Sequence, residues 1–291
     1  MLNDPPPERR KPHPLERQPV PPSPSPQGQP PRQQVTLRIP SVRPLVTYAL
    51  IVINTLIFLI RATSFNLDQQ ILEWGASNST AVLVNGEIYR LLTAMFLHAS
   101  IFNPYGGYAL ENSLHLIFNM YVLYIIGIQV ERLFGHMRFG IIYMLGGLAG
   151  SVLSVVLSGP DVYSVGASGA VFAILAAQFV YLVQHRKLLG TRGRAQMQSL
   201  VILAVIDLAL GVIGNVAGAA VQIDNWAHLG GIIGGLILTW AIGPIYIVRR
   251  HPDNPNELLG EDINPLKNRY WAVSLFAVAL MLILIAARAF A

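Results

Sequence analysis

Residues 139–157 read FGIIYMLGGLAGSVLSVVL, a run of nineteen residues without a charged side chain. An α-helix rises about 1.5 Å per residue, so about 20 apolar residues cross the hydrocarbon core of a bilayer. Similar apolar runs lie on both sides of this one, at 45–62, 113–130, 167–184, 198–218, 226–248 and 271–290. Because backbone in lipid must satisfy its own hydrogen bonds, the pattern predicts an all-α polytopic membrane protein with seven transmembrane helices.

The composition of the chain agrees with this prediction. Of its 291 residues, 53% are apolar and only 12% are charged, about half the roughly 25% charged content of soluble domains. This composition argues against a soluble globular enzyme. The chain has no cysteine, which excludes disulfides, thiol catalysis and cysteine-ligated zinc.

The apolar runs divide the chain into three parts. Residues 1–44 hold 14 of the 20 prolines, so they predict a disordered, partly polyproline II tail. Residues 45–248 contain the first six apolar runs, and 249–291 contain a linker and the seventh. The apolar stretch 91–102 is too short to cross a membrane and lies in a long loop, 63–112. No strand-like alternation is evident.

The basic residues predict the orientation of the chain. With the N-terminus in the cytoplasm, 17 of the 20 Lys and Arg residues lie on the inner side and only Arg61, Arg90 and Arg288 on the outer side, as the positive-inside rule expects. Topology thus explains the net charge of +5, and no nucleic-acid partner is needed to account for it.

Four polar side chains lie within the apolar runs, where polar groups are costly and are functional candidates by default. His115 and Asn119 are four residues apart, so they share one helix face near the outer end of the second span. Ser168 begins the fourth span from the outer side, and His228 begins the sixth. We therefore expect all four at one depth in the outer leaflet.

This set of side chains is sufficient for serine acyl transfer. Ser168 is a nucleophile if His228 accepts its proton. The start of a helix at Ser168 offers free backbone N–H groups to a developing oxyanion, and His115 and Asn119 can donate two further hydrogen bonds. Structural alternatives stay open: Ser168 as a small helix-start residue, His228 as a satisfied core histidine, and His115 and Asn119 as interhelical hydrogen-bonding groups.

Over about residues 45–290 the sequence resembles the rhomboid family of intramembrane serine proteases. The residues that carry the resemblance are Gly166-Ala167-Ser168-Gly169, Ala227-His228-Leu229-Gly230-Gly231 with Gly235 beyond it, and His115 with Asn119. Stretches 87–98 and 127–135 are also similar to family motifs, and the seventh span resembles the bacterial six-plus-one arrangement. Two residues differ: Tyr89 replaces the usual Trp, and Phe172 stands where some members have a Tyr that stacks on the catalytic histidine.

The resemblance implies a rhomboid-like catalytic core at 45–248 and a role for each candidate. Ser168 would be the nucleophile and His228 its base, a dyad without an acidic third member. His115, Asn119 and the Ser168 amide would form the oxyanion hole. The expected substrates are single-pass transmembrane segments, cut near their outer end within the lipid bilayer of a bacterial cell membrane. No metal or cofactor is expected, and the substrate and oligomeric state stay open.

One alternative function is a catalytically silent relative that binds or escorts membrane helices. Such a relative would be expected to have lost Ser168 or His228, and this chain retains both.

Other polar residues in the apolar part of the chain are expected to have structural roles. Asp224 is expected to be a loop or cap residue, and Glu131 a structural residue. Asp207 lies in the middle of the fifth span, roughly 15 Å below its outer end, and is expected to be too deep to reach His228. His98 is either structural or positions the first loop or a water molecule.

Overall fold

The computed structural model describes residues 36–160, 162–217, 223–254 and 256–291, most of which are helical. The helices are α1 Leu45–Arg61, α2 Phe65–Gly75, α3 Arg90–Thr93, α4 Ser113–Val122, α5 Ile128–Phe134, α6 His136–Leu157, α7 Ser168–Gln184, α8 Arg186–Ala217, α9 Asn225–Ile242 and α10 Tyr270–Ala289. A π-helical turn, Leu123–Gly127, joins α4 to α5 into one continuous span. The strands are β1 Thr36–Arg38, β2 Tyr246–Arg250 and β3 Glu257–Asp262.

Several of these helices can cross a membrane. Those long and apolar enough are Leu110–Phe134, His136–Leu157, Arg186–Gly214, Asn225–Ile242 and Tyr270–Ala289. Two more apolar helices, α1 and α7, are shorter, with 17 residues each. The protein is therefore a helical, polytopic integral membrane protein, and each apolar run predicted from the sequence overlaps one of these helices.

Helix α7 packs against both α6 and α9, which also pack against each other. Thirteen of its 17 residues are buried, so it is surrounded on nearly all sides. Helix α9 approaches it so closely that a Cβ on Gly231 would lie 2.0 Å from the Gly169 carbonyl oxygen. A Cβ on Gly235 would lie 2.3 Å from the Ala173 carbonyl oxygen. Glycine at these positions lets α7 and α9 pack backbone to backbone.

The loop after α1 folds against the C-terminal end of that helix. Its helices α2 and α3 have 11 and 4 residues, too few to cross a membrane, in agreement with the expectation for stretch 91–102. Arg61 Nη2 lies 2.7 Å from Asp68 Oδ1, and both side chains are buried. Arg61 Nη1 also donates to the His98 carbonyl oxygen at 2.7 Å, so one guanidinium anchors two parts of the loop.

The expectation that the chain lacks strands is wrong. Strands β1, β3 and β2 form a sheet in that order, with β1 parallel and β2 antiparallel to β3. Strand β1 lies within segment 1–44, whose residues 1–35 are outside the described residues, and β3 lies within the expected linker. These strands have 3 to 6 residues, too few for a period-two pattern to stand out in a sequence.

The sixth helix is shorter than the apolar run 226–248 that predicted it. Helix α9 ends at Ile242 and is followed by Gly243 and Pro244. Because proline lacks a backbone N–H and clashes with the preceding turn, it cannot continue a helix. The apolar residues after it belong instead to β2, which pairs with β3.

Candidate active site

Ser168 begins helix α7, directly after a glycine with unusual backbone geometry. Gly166 has φ +141°, a conformation that side chains disfavour, and its N–H donates to the Ala94 carbonyl oxygen at 2.9 Å. Ser168 is only partly buried, whereas Ala167 and Gly169 on either side are fully buried. The hydroxyl therefore stands at an accessible helix start, where backbone N–H groups of the first turn lack helical partners.

His228 lies in the first turn of α9 with its side chain 5% exposed. Its ring stacks on Phe172, with centroids 4.4 Å apart and planes 24° from parallel. Phe172 lies one helical turn after Ser168, so the two residues share a face of α7. The imidazole is thus held against the same face that carries Ser168. Phenylalanine at this position packs on the histidine, as expected from the sequence.

Among the described residues, no hydrogen bond joins the Ser168 hydroxyl to His228. The two side chains are brought to neighbouring first turns by the Gly169–Gly231 contact and by the Phe172 stack. Catalytic hydrogen bonds are often long or poorly aligned before substrate binds, so this geometry is compatible with a nucleophile and its base.

His115 directs one ring nitrogen toward Ser168. Its Nδ1 accepts from the Ala99 N–H at 3.3 Å, so in the neutral ring the proton is on Nε2. That Nε2 lies 3.1 Å from the point where a Cβ on Gly166 would stand, and Ser168 Oγ lies 3.5 Å from the same point. The Nε2–H donor and the Ser168 hydroxyl therefore border one small space, which the missing side chain of Gly166 leaves open.

Asn119 lies one turn after His115 and is buried. Its Nδ2 donates to the His115 carbonyl oxygen at 2.8 Å, which uses one of the two amide hydrogens. The structure thus places Asn119 in the same helix and on the same face as His115. Its role as an oxyanion donor stays a prediction.

The expectation that Asp207 cannot reach His228 is wrong. Asp207 Oδ2 lies 2.9 Å from His228 Nδ1. The depth expected for Asp207 separates it from His228 only if the fifth and sixth spans end at the same level. Instead, the Asn225 side chain at the start of α9 donates to the Leu208 carbonyl oxygen at 3.1 Å. Helix α8 thus extends about two and a half turns beyond the start of α9, from Leu208 to Ala217.

Asp224 has the cap role expected from the sequence. Its Oδ1 accepts from the Ala227 N–H at 2.9 Å at the start of α9. Its Oδ2 accepts from Ser154 Oγ at 2.5 Å, which ties this helix start to α6. The carboxylate is therefore engaged in holding the first turn of α9, the turn that carries His228.

His98 and Arg61 support the site from the first loop. The His98 ring is fully buried, 5.3 Å from the His115 ring between centroids. Its carbonyl oxygen is held by Arg61, whose importance the sequence analysis missed because a single basic residue at a helix end carries no distinctive signal. Within the described residues, no cluster of three or more His, Asp or Glu side chains could hold a metal ion.

A family model described as Rhomboid domain matches residues 85–245, which is more than half of the chain and includes all four candidate residues.

Three relatives illustrate the range of similar proteins. "RHOMBOID-like protein 1" of Arabidopsis thaliana is 34% identical over 62% of this chain and 42% of its own length. "Rhomboid protease GluP" of Bacillus subtilis is 32% identical over 69% of this chain and 35% of its own. "Inactive rhomboid protein 1" of Danio rerio is 33% identical over 55% of this chain and 16% of its own. The chain thus spans less than half the length of each of these relatives.

The family match covers the segment in which α7 and α9 bring Ser168 and His228 to neighbouring turns, and it includes His115 and Asn119. The chain belongs to the rhomboid family.

Proposed function

We propose that this protein is an intramembrane serine endopeptidase that cleaves transmembrane segments near their outer end. The observation that carries the proposal is the stacking of His228 on Phe172 at 4.4 Å. It holds the imidazole on the face of α7 that bears Ser168. A serine at an accessible helix start beside a buried histidine provides the nucleophile and the general base that acyl transfer requires.

In the proposed reaction, Ser168 Oγ attacks the scissile carbonyl carbon while His228 takes the hydroxyl proton. The new C–O bond converts the carbonyl into a tetrahedral oxyanion. When that intermediate collapses, the C–N bond breaks and His228 gives its proton to the leaving amine. Water then attacks the acyl-enzyme with His228 again acting as base, which releases the carboxylate and restores Ser168.

The proposed oxyanion donors are the Ser168 N–H, His115 Nε2–H and the Asn119 amide. Support for His115 comes from the bond between its Nδ1 and the Ala99 N–H. That bond keeps the proton on Nε2, the nitrogen that borders the space beside Ser168. Donors placed in advance around a developing negative charge lower the barrier because they need no reorganisation during the reaction.

For the membrane arrangement we propose seven crossings with the N-terminus in the cytoplasm. Support comes from the bias of 17 of 20 basic residues toward that side. Ser168 and His228 then lie toward the outer side, where they would meet the outer end of a single-pass substrate. The proposed location is a bacterial cell membrane, by resemblance to the six-plus-one helix arrangement.

A catalytically silent, helix-binding role is the alternative. It is favoured by the 33% identity to a relative named inactive. We prefer the protease because Ser168 and His228 are both retained and lie on neighbouring helical turns.

The test is cleavage of a model single-pass transmembrane substrate by the purified protein. Ser168→Ala and His228→Ala should abolish cleavage without lowering expression, and a fluorophosphonate probe should label the wild type but not Ser168→Ala. Ser199→Ala is the matched control, because Ser199 is an exposed serine on α8 and its loss should change neither readout. Undiminished cleavage by Ser168→Ala would contradict the proposal.

A further inference from the structure

Helix α8 contributes a carboxylate to the neighbourhood of His228. Asp207 Oδ2 and His228 Nδ1 are 2.9 Å apart. Neither atom has a hydrogen-bond partner of good geometry among the described residues, and both are shielded from solvent. A carboxylate in this position is costly in an apolar bundle unless a partner compensates it, and the His228 ring is the polar group that faces it.

We propose that Asp207 is a positioning residue for His228, which it holds in the tautomer with Nδ1 protonated and Nε2 free. This inference rests on the proposed protease function. A neutral imidazole carries one N–H proton, on either Nδ1 or Nε2. A carboxylate beside Nδ1 favours the tautomer with the proton on Nδ1. The lone pair is then on Nε2, the nitrogen that must receive the Ser168 proton. The pair Ser168–His228 thereby becomes a three-residue arrangement.

The contact is supported by neighbouring contacts between the same two helices. Asn225 Nδ2 donates to the Leu208 carbonyl oxygen at 3.1 Å. One turn after Asp207, Gly211 leaves room for the Asn225 side chain, since a Cβ there would lie 2.1 Å from Asn225 Oδ1. Residues 207, 208 and 211 of α8 thus meet residues 225 and 228 of α9. These spacings place each set on one helix face, so the register between the helices is set by more than one interaction.

The geometry also indicates how strong the effect should be. Oδ2 lies within ion-pair distance of Nδ1 but away from the direction of a straight N–H···O bond. The Asp207 side chain is 38% exposed overall. In enzymes with a buried, straight aspartate–histidine bond, removing the charge lowers kcat by about 10⁴-fold. For the bent and partly exposed pair in this protein we expect a smaller loss, about 10- to 100-fold.

The first experiment measures the kinetics of Asp207→Asn, which keeps the shape of the side chain and removes its charge. We expect kcat and the rate of fluorophosphonate labelling of Ser168 to fall about 10- to 100-fold, with KM nearly unchanged. Asp207→Glu retains the charge and should recover part of the loss. Asn225→Ala is the packing control: it removes the Leu208 contact between the helices without touching Asp207.

The second experiment observes the His228 ring itself. Histidine ring nitrogens are labelled with ¹⁵N in detergent-solubilised Ser168→Ala protein, and the His228 signals are assigned by their loss in a His228→Ala variant. We expect the Nδ1–H tautomer in the parent protein and its loss in Asp207→Asn, whereas Asn225→Ala should retain it. A structural role for Asp207 would leave the tautomer unchanged in every variant.

The outcomes separate this inference from the protease proposal. Wild-type kcat in Asp207→Asn, or a fall in kcat with an unchanged His228 tautomer, would overturn the positioning role while leaving the protease intact. An inactive wild-type protein would overturn the protease proposal, and the nitrogen signals would still report whether Asp207 sets the tautomer. If Asp207→Asn does not fold, Asp207→Glu decides: a partial loss of both kcat and the Nδ1–H tautomer supports the positioning role, and a lower kcat with an unchanged tautomer overturns it.

Discussion

The Arg61 guanidinium is a charged group buried inside the protein. Its side chain is 1% exposed, as is that of Asp68, its partner at 2.7 Å. Ser100 Oγ donates to the second Asp68 oxygen at 2.6 Å, and Arg61 also binds the His98 carbonyl oxygen. A single ion pair therefore connects the end of α1, the helix α2 and the part of the first loop that lies next to His115.

Removing one partner from such a pair leaves the other buried and unpaired. We expect Arg61→Met to lower the free energy of unfolding by about 3–5 kcal/mol, measured by thermal or denaturant unfolding in detergent. Arg43→Met is the control, because Arg43 is exposed and its loss should have little effect. An Arg61→Met protein as stable as the control would mean that the loop is held by other contacts.

Two roles are open for the Asn119 side chain: it donates to the oxyanion during catalysis, or it only makes a structural hydrogen bond. If its amide binds the oxyanion, Asn119→Ala should lower kcat by about 10²–10³-fold with a smaller change in KM. If its bond to the His115 carbonyl oxygen is the whole of its role, Asn119→Ala should lower stability and leave kcat of the folded fraction unchanged. Steady-state kinetics combined with a Tm measurement separate the two results.

At the scale of helices, the close packing of α7 and α9 sets the distance between Ser168 and His228. A methyl group on Gly231 would overlap the Gly169 carbonyl, so Gly231→Ala should push the two helix starts apart. Because a misplacement of about 1 Å can cost about 10²-fold in rate, we expect kcat to fall by that order, beyond what lost stability explains. Gly140→Ala is the control, since a Cβ there would meet no atom within 4 Å. Equal turnover in both variants would contradict this role of the contact.

The sequence predicted the helices because membrane crossing imposes strong local signals. Long apolar runs gave the positions of the helices, and glycine-rich first turns marked Ser168 and His228. The strands were not predicted because they are short and because they pair residues that are far apart in the sequence, such as Thr36 and Glu257. The contact between Asp207 and His228 was not predicted because it depends on how far α8 extends beyond the start of α9. No sequence pattern within a single helix gives that length.

At the scale of the whole molecule, the sheet and the candidate site lie at opposite ends of α9. His228 is in its first turn, and β2 follows its last, about 21 Å away. His185, between α7 and α8, joins the sheet to the bundle: its Nδ1 donates to the Tyr181 carbonyl oxygen and its Nε2 accepts from the Tyr246 N–H. Burial lowers the pKa of His185, which favours the neutral ring that these two bonds require.

This separation predicts the effects of shortening the N-terminal segment. Deleting residues 1–35 retains β1, whereas deleting 1–40 removes it together with its parallel pairing to β3. We expect both truncated proteins to cleave a detergent-solubilised substrate nearly as fast as the full chain, because the sheet is remote from Ser168. The Tm of the longer truncation should be lower, since the backbone groups of β3 lose their partners on that side. A large loss of turnover on deleting 1–35 would assign that segment a part in catalysis, and an equal Tm for the two truncations would mean that β1 adds no stability.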